Sequence, residues 1–555
     1  MDTVVLEANQ RLSHSRLWEM QRRFFEQRGI QAWSEGRVPH YVTSNPTIAR
    51  AYGQVVLGFL RDWRAVSPQS EPTNAATPHL DPTQPVYIVE LGAGSGRFAY
   101  HFLRQFTAMI DQSALGDVAF TYVITDLAEA NLDFCRHHPK LQPFVEQGLL
   151  DFARFDAETA EHLHLLQADV TITAKTLKNP LMVLANYFFD CIPQDVFTMR
   201  NGQLYESLLT LRYPVTEPDL DDPELDEETF FEQLELDYTD RPVTTDAYYG
   251  DADLDRVLTD YNGTLSAATF FLPTVGLRCL RNLRRLASDR LLFLSGDKGY
   301  SRLDMMEGRG KPQLVTHRGC VSFLVNYHAL ARYVTQQQGE AHTPSYHPVS
   351  LTICAFLFGH PAQGFLETAL AYRQAIADGG PSDFFGLKKA AEQQYAAFSL
   401  PRLIGYLRLS QWDANIFFGA YPTLLAHAEQ GTAPWTQELV EAIRHIWQSY
   451  YDIGETRDIA FCVAHLLQTL GYDAEALELY LISLERHGPT PRTYYSMSLC
   501  HQRLGHREEA QQYRRQALAL DPNVELTPSK SRASKLRPTP PRVPLPAGGY
   551  RLPIG

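Results

Sequence analysis

Residues 85–110 read PVYIVELGAGSGRFAYHFLRQFTAMI, and this stretch decides the fold class. The run VYIVEL is strand-like, GAGSG is a turn that only a glycine-rich segment makes easily, and from Arg97 the apolar residues recur at helical spacing. Strand, glycine turn and helix in that order open an alternating α/β domain. Four more strand-length apolar runs follow, FTYVITD at 120–126, LLDFARFDA at 149–157, PLMVLANYFFD at 180–190 and RLLFLSGDKGY at 290–300. Helix-compatible stretches between the first four predict a mostly parallel sheet with helices on both faces. Sites in such sheets lie at the C-terminal ends of the strands.

Working outward, residues 10–63 show helical spacing of Leu17, Met20, Phe24 and Phe25, then of Ile48, Tyr52, Val55, Val56, Phe59 and Leu60. Residues 1–80 are therefore expected to be a helical segment contributing to the site, joined to the α/β domain (81–375) by a Ser, Pro and Thr-rich surface loop at 67–84. An insertion at about 214–285 begins with an acidic block that carries twelve acids and no Lys or Arg between Glu217 and Asp240. It reads either as a solvated insertion with one short helix or as a clamp or cover over the site. Beyond 375 the chain turns helical. Gly471 and Gly505, Ala476 and Ala510, and Leu470 and Leu504 each stand 34 residues apart, which is the tetratricopeptide period. Two such repeats are expected over 456–523 with a helical extension at 376–455. The Pro-rich basic tail, 524–555, is expected to be disordered.

Composition narrows the function. The 555 residues are 44% hydrophobic and 21% charged, as in globular proteins, and 64 acids against 50 Lys and Arg (net −14) disfavour a general nucleic-acid surface. No apolar run is long enough to span a membrane, and the N-terminus lacks a signal-peptide pattern, so the cytoplasm is the expected location. The seven cysteines are scattered with no CxxC pair, and no His/Cys/Asp grouping has metal spacing, so neither disulfide framework nor metal is expected.

The chemistry begins at Glu90, Gly92, Gly94 and Gly96. A dinucleotide loop spaces its glycines GxGxxG, whereas here they fall as GxGxG with an acid two positions earlier. The second strand ends in Asp126 and the third in Asp156, where carboxylates can take ribose hydroxyls and the adenine amino group. One terminal acid alone would serve as a helix cap; three on successive strands, after such a turn, form a set. This pattern resembles class I S-adenosylmethionine methyltransferases, whose cofactor has no phosphates to cradle. A narrower resemblance is carried by NYFFDCIPQDVF (186–197), similar to the EFFDALPVHxF signature of the MidA-like family, which includes the mitochondrial complex I assembly methyltransferase. GRVPHYVTSNPTIARAYGQVV (36–56), RLLFLSGDKGY and CVSFLVNYHALARYV (320–334) resemble further family segments in order, over about residues 15–360.

The resemblance implies a Rossmann-like class I domain in which Glu90, Gly92, Gly94, Gly96, Asp126 and Asp156 contact S-adenosylmethionine. It places Asn186, Tyr187 and Asp190 at the transferred methyl. The family's activity implies methylation of a protein arginine. The family's Glu before FFD is Tyr187 here, and the Asp of its HVDF element is Asn326, so one carboxylate expected to grip a guanidinium is missing. Tyr187 either packs under the sheet edge or stacks on a target nitrogen held by Asn186. His317 and His328 read as loop or packing residues. The expected function is methyl transfer to a protein or peptide nitrogen, with the repeats recruiting the partner. A small-molecule methyltransferase with dimerising repeats, and a non-catalytic assembly factor that keeps the cofactor fold, are the alternatives, and homo-oligomerisation stays open.

Overall fold

The computed structural model describes residues 3–64, 80–214, 227–348 and 350–524. Most of the Ser, Pro and Thr-rich stretch (65–79), the first half of the acidic block (215–226) and the basic tail (525–555) lie outside the described residues. The chain divides into two compact units, one made of Met1–Gln394, Leu409–Asp413 and Ser449–Thr456, the other of Tyr395–Arg408, Ala414–Gln448 and Arg457–Gly555.

The first unit is built on a seven-stranded sheet, β1 (Val86–Leu91), β2 (Phe120–Asp126), β3 (Leu150–Arg154), β4 (Leu181–Asn186), β5 (Leu291–Asp297), β6 (Glu340–His342) and β7 (Thr352–Phe358), in the order β6-β7-β5-β4-β1-β2-β3. The five strands expected from the sequence are its parallel members, and β7 and β6 add an antiparallel edge. Every residue of β1 is buried, as the continuous apolar run required. The chain runs outward from β1 to β3, then returns to β4 on the other side of β1. That reversal leaves a crevice beyond the C-terminal ends of β1 and β4.

Strand alternation decides what each side chain meets. Val86, Ile88, Met182 and Leu184 pack on one face with the helices Pro46–Arg64 and Arg97–Asp111, so Glu90 and Asn186 turn the same way. Tyr87, Val89, Leu291 and Phe293 face the other layer, with the helices Thr274–Leu286 and Tyr327–Gln336, and Asp297 follows them.

Two expectations need correction. The N-terminal segment is not wholly helical, because Thr3–Gln10 is a strand paired antiparallel with Gln203–Pro214. The insertion is more than a solvated loop with one helix. Asp195–Arg200, Gln203–Pro214, Glu235–Pro242 and Ala267–Leu272 join the N-terminal strand in a second, five-stranded antiparallel sheet. The short helix exists, Glu227–Gln233, but Phe230 and Phe231 are buried against Trp18 and Phe323. Acid density hid the period-2 pattern of ELDYTD, whose exposed and half-buried residues alternate along the strand.

The second unit contains helices α1 (Ala414–Gln430), α2 (Ile459–Thr469), α3 (Asp473–His487), α4 (Pro491–Arg503) and α5 (Arg507–Leu520). α2 packs on α3, α3 on α4 and α4 on α5. Gly471 and Gly505 make the turns inside the two helix pairs at φ of 87° and 84°, the left-handed geometry that glycine enters at least cost. Ala476 is fully buried at the first pair's contact. Among the described residues no helix is long and apolar enough to cross a membrane. All seven cysteines are free thiols.

Candidate active site

A cavity of about 210 Å³ opens at the C-terminal ends of β1 and β4, and its walls bring together Glu90, Gly92, Asp126, Asp156, Asn186, Tyr187 and Asp190. The remaining two expected residues, Gly94 and Gly96, lie behind the wall and shape the loop. Gly92, Gly94 and Gly96 have φ of 61°, 54° and 71°; a Cβ on Gly94 would sit 2.7 Å from the Trp33 ring, and one on Gly96 2.7 Å from Cys135 Sγ. Side chains there would be strained and would clash. Trp33 itself lines the cavity, together with Trp18, Arg22 and Phe25, so the N-terminal segment supplies one wall.

At the glycine end the groups are tied down. Asp126 Oδ2 accepts from Gly94 N (2.9 Å), and its Oδ1 accepts from Ala128 N (3.0 Å) and Asn131 Nδ2 (3.2 Å). Three of a carboxylate's roughly four lone-pair positions are therefore used. One hydroxyl can be accepted without disturbing the loop; accepting two would displace a backbone bond. Glu90 Oε2 accepts from the Tyr122 hydroxyl (2.9 Å), and burial pushes its carboxyl up to about 8, with Asp126 adding to the rise. A buried carboxyl held partly neutral is the group that a ligand cation would ionise. Asp156 accepts from Glu158 N (2.9 Å) and stands 3.6 Å from Arg22. Tyr451, which the sequence had placed only in a helical extension, donates to Ser95 O (3.0 Å) and stacks on His138 at 3.8 Å, bracing the loop from behind.

The other end is strained and charged. Tyr187 adopts φ 47°, a left-handed conformation unusual for a bulky side chain, with its N–H donated to Gly296 O (3.0 Å). Asn186 Oδ1 accepts the Tyr52 hydroxyl at 2.7 Å. Asp190 is buried, its Oδ1 accepts from Cys191 Sγ (3.0 Å), and burial lifts it to about 6. Behind it lies Asp297, wholly buried, which accepts from Asp190 N at 3.3 Å and whose carboxyl is raised well above the usual range by burial and by Asp190. Burial thus favours the neutral form at both carboxyls, and more strongly at Asp297.

Asp297 is a buried acid in contact with Asp190 that sequence reasoning did not single out. Tyr187 stands in the cavity wall where the family's Glu was expected, and the acid at the end of β5 lies behind that wall against Asp190. Its signal was the acid after the glycine of LLFLSGD, a strand-end acid like Glu90 and Asp126. His317 is a loop residue, as expected, and that loop forms part of the wall, with Nε2 2.9 Å from Ser322 Oγ and its ring kept neutral, about 4, by burial and by Lys298. His328 pairs with the Tyr261 hydroxyl at 2.9 Å and stays a packing residue. Asn326, in place of the family's acid, caps the helix Tyr327–Gln336 through Ala329 N and donates to Phe271 O (2.7 Å).

Residues 73–300 match the model of one family, described as putative S-adenosyl-L-methionine-dependent methyltransferase. S-adenosylmethionine, the cofactor expected from the glycine loop and strand-end acids, is the cofactor of that family. No curated protein matches the chain. Among solved structures, an uncharacterized superfamily protein from Burkholderia thailandensis is 12% identical, covering 66% of this chain and 83% of that one at a TM-score of 0.35. A superfamily member from the same organism bound to S-adenosyl-homocysteine is 12% identical, covering 62% and 75%, TM-score 0.32. The MamA protein is 16% identical over 29% of this chain and 73% of that one, TM-score 0.18. Likenesses this remote leave the site to stand on its own geometry.

Proposed function

We propose that the chain is a class I, MidA-like methyltransferase that takes S-adenosylmethionine in this cavity and methylates a protein or peptide nitrogen. The observation that carries it is the joining, in one cavity at the β1/β4 crevice, of a glycine loop braced by Asp126 with the buried carboxyl of Asp190, which Asp297 backs from behind the wall. The cofactor fits the residues present: Glu90 offers a buried carboxyl to an ammonium, and Asp126 keeps one acceptor position for a ribose hydroxyl. When bound it supplies an electrophilic methyl on a sulfonium.

The chain's own residues then do the rest. Methyl transfer depends chiefly on lining up nucleophile, methyl and sulfur. Asn186 and the strained Tyr187 backbone present the acceptor nitrogen at the end of β4, and the Tyr187 ring offers it a face. Asp190 takes the proton that the nitrogen sheds, with Asp297 donating a hydrogen bond to the carboxylate. One carboxylate, Asp190, faces the acceptor, so Lys, Gln, Asn or an α-amine stands beside arginine as the methylated nitrogen. The two helix pairs α2–α3 and α4–α5 act as tetratricopeptide repeats that recruit the polypeptide.

Incubating the protein with methyl-labelled S-adenosylmethionine and lysate from a deletion strain should label one or a few bands, and mass spectrometry names the nitrogen. Absence of label in protein and metabolite fractions, with cofactor binding intact by calorimetry, would leave a scaffold and overturn the enzyme.

A further inference from the structure

Helices α1, α2 and α4 of the second unit carry an arginine and aromatic stripe that the methyltransferase reading does not use. Arg457, one residue before the Asp458 cap of α2, lies over the Phe418 ring of α1 at 5.6 Å, with one N–H given to Asn415 Oδ1 at 2.5 Å. In the first turn of α2, Phe461 lies under the Arg492 guanidinium of α4 at 5.0 Å. A further turn along α2, His465 Nδ1 meets the Tyr421 hydroxyl of α1 at 2.7 Å. Residues 461 and 465 thus lie on one face of α2, with Arg457 just before its cap, flanked by α1 and α4.

The cations on this face lack acids. Arg457 and Arg492 make no ion pair among the described residues, in a chain whose net charge is −14 and whose Arg444 and Arg503 do pair, with Glu475 and Asp473. A guanidinium stacked on a ring is fixed in orientation and keeps its N–H edge for a planar anion. His465 adds no charge, because burial and Arg492 hold it neutral, at about 4. Glu429 of α1 is the acid that acts on Tyr421, and Arg492 opposes it there.

We propose that this face binds an acidic peptide segment, with Arg457 and Arg492 each taking a side-chain carboxylate and Phe418, Phe461 and Tyr421 packing against the backbone between them. This deepens the recruitment part of the proposed function by assigning the partner's chemistry. Because it concerns binding alone, it fails or stands separately from methyl transfer.

The test is fluorescence anisotropy on the full chain with a labelled dodecapeptide rich in Asp and Glu and a twin in which every acid is the amide. The acidic peptide should bind at least about tenfold more tightly than its twin. Arg457→Gln and Arg492→Gln should each weaken it about tenfold, the scale of one charge-assisted hydrogen bond. Arg492→Lys should recover little, since an ammonium cannot present the flat fork. Unchanged circular dichroism and unchanged binding of S-adenosyl-homocysteine identify the Gln variants as folded. Equal binding of both peptides, full affinity in the Arg457→Gln/Arg492→Gln double variant, or tighter binding of a single-stranded oligonucleotide than of the acidic peptide would overturn the proposal.

Discussion

The two ends of the cavity are built on different principles. At the glycine end, Asp126 and Ser95 are tied to neighbouring loops by backbone and side-chain bonds, and three positive-φ glycines set the curve. At the Asn186 end, a tyrosine sits at φ 47° and Asp190, backed by Asp297, is one of two buried carboxyls that burial pushes toward the neutral form. The first is prepared to hold a ligand still. The second stores strain and charge, as groups that must change protonation do.

Asp190→Ala should open the widest gap between the ends. Methyl transfer should fall by about 100-fold to 10,000-fold, the range of a lost proton acceptor, while cofactor affinity stays within about twofold. Equal losses in both would mean that the ends are not separate. Asp126→Ala is the converse, expected to weaken S-adenosyl-homocysteine at least about tenfold in calorimetry by removing the loop's acceptor.

The pH profile sharpens the second end. A proton acceptor must be ionised, so kcat should fall as pH drops through about 6, the value to which burial raises Asp190. Asp297→Asn should leave that limb in place, because an amide N–H replaces the donating O–H, whereas Asp297→Leu should push it upward. A limb that moves downward in Asp297→Asn would show that Asp297 is ionised.

The smallest effect on transfer, and the one most diagnostic of the first end, belongs to Glu90→Gln. The folded carboxyl ionises near 8, well above its unfolded value, so the protein loses stability as pH rises from about 4.5 to 8. Gln removes that loss. Thermal midpoints at pH 8 should rise by several degrees with no gain near pH 4.5, while cofactor affinity at pH 8 drops by a few-fold. A lower midpoint at pH 8 would refute a raised Glu90.

The legibility of each end follows from how local its geometry is. Val86–Leu91 followed by three glycines announces a buried strand and a tight turn through a handful of neighbouring torsions, so β1, its turn and the residues Glu90, Asp126 and Asp156 could be read directly. The 34-residue spacing of Gly471 and Gly505 was legible for the same reason, as a local turn repeated. The strand Thr3–Gln10 was not, because its partner Gln203–Pro214 lies some two hundred residues away and pairing leaves no local trace. Nor was the second carboxylate. The sequence by itself determined a parallel α/β sheet, its glycine turn and the acids near its strand ends, because strand burial and positive-φ turns are properties of contiguous residues. Only the tertiary structure decided that β5 lies beside β4, and with it that Asp297 stands behind Asp190, since which strands become neighbours is settled by packing across the whole sheet.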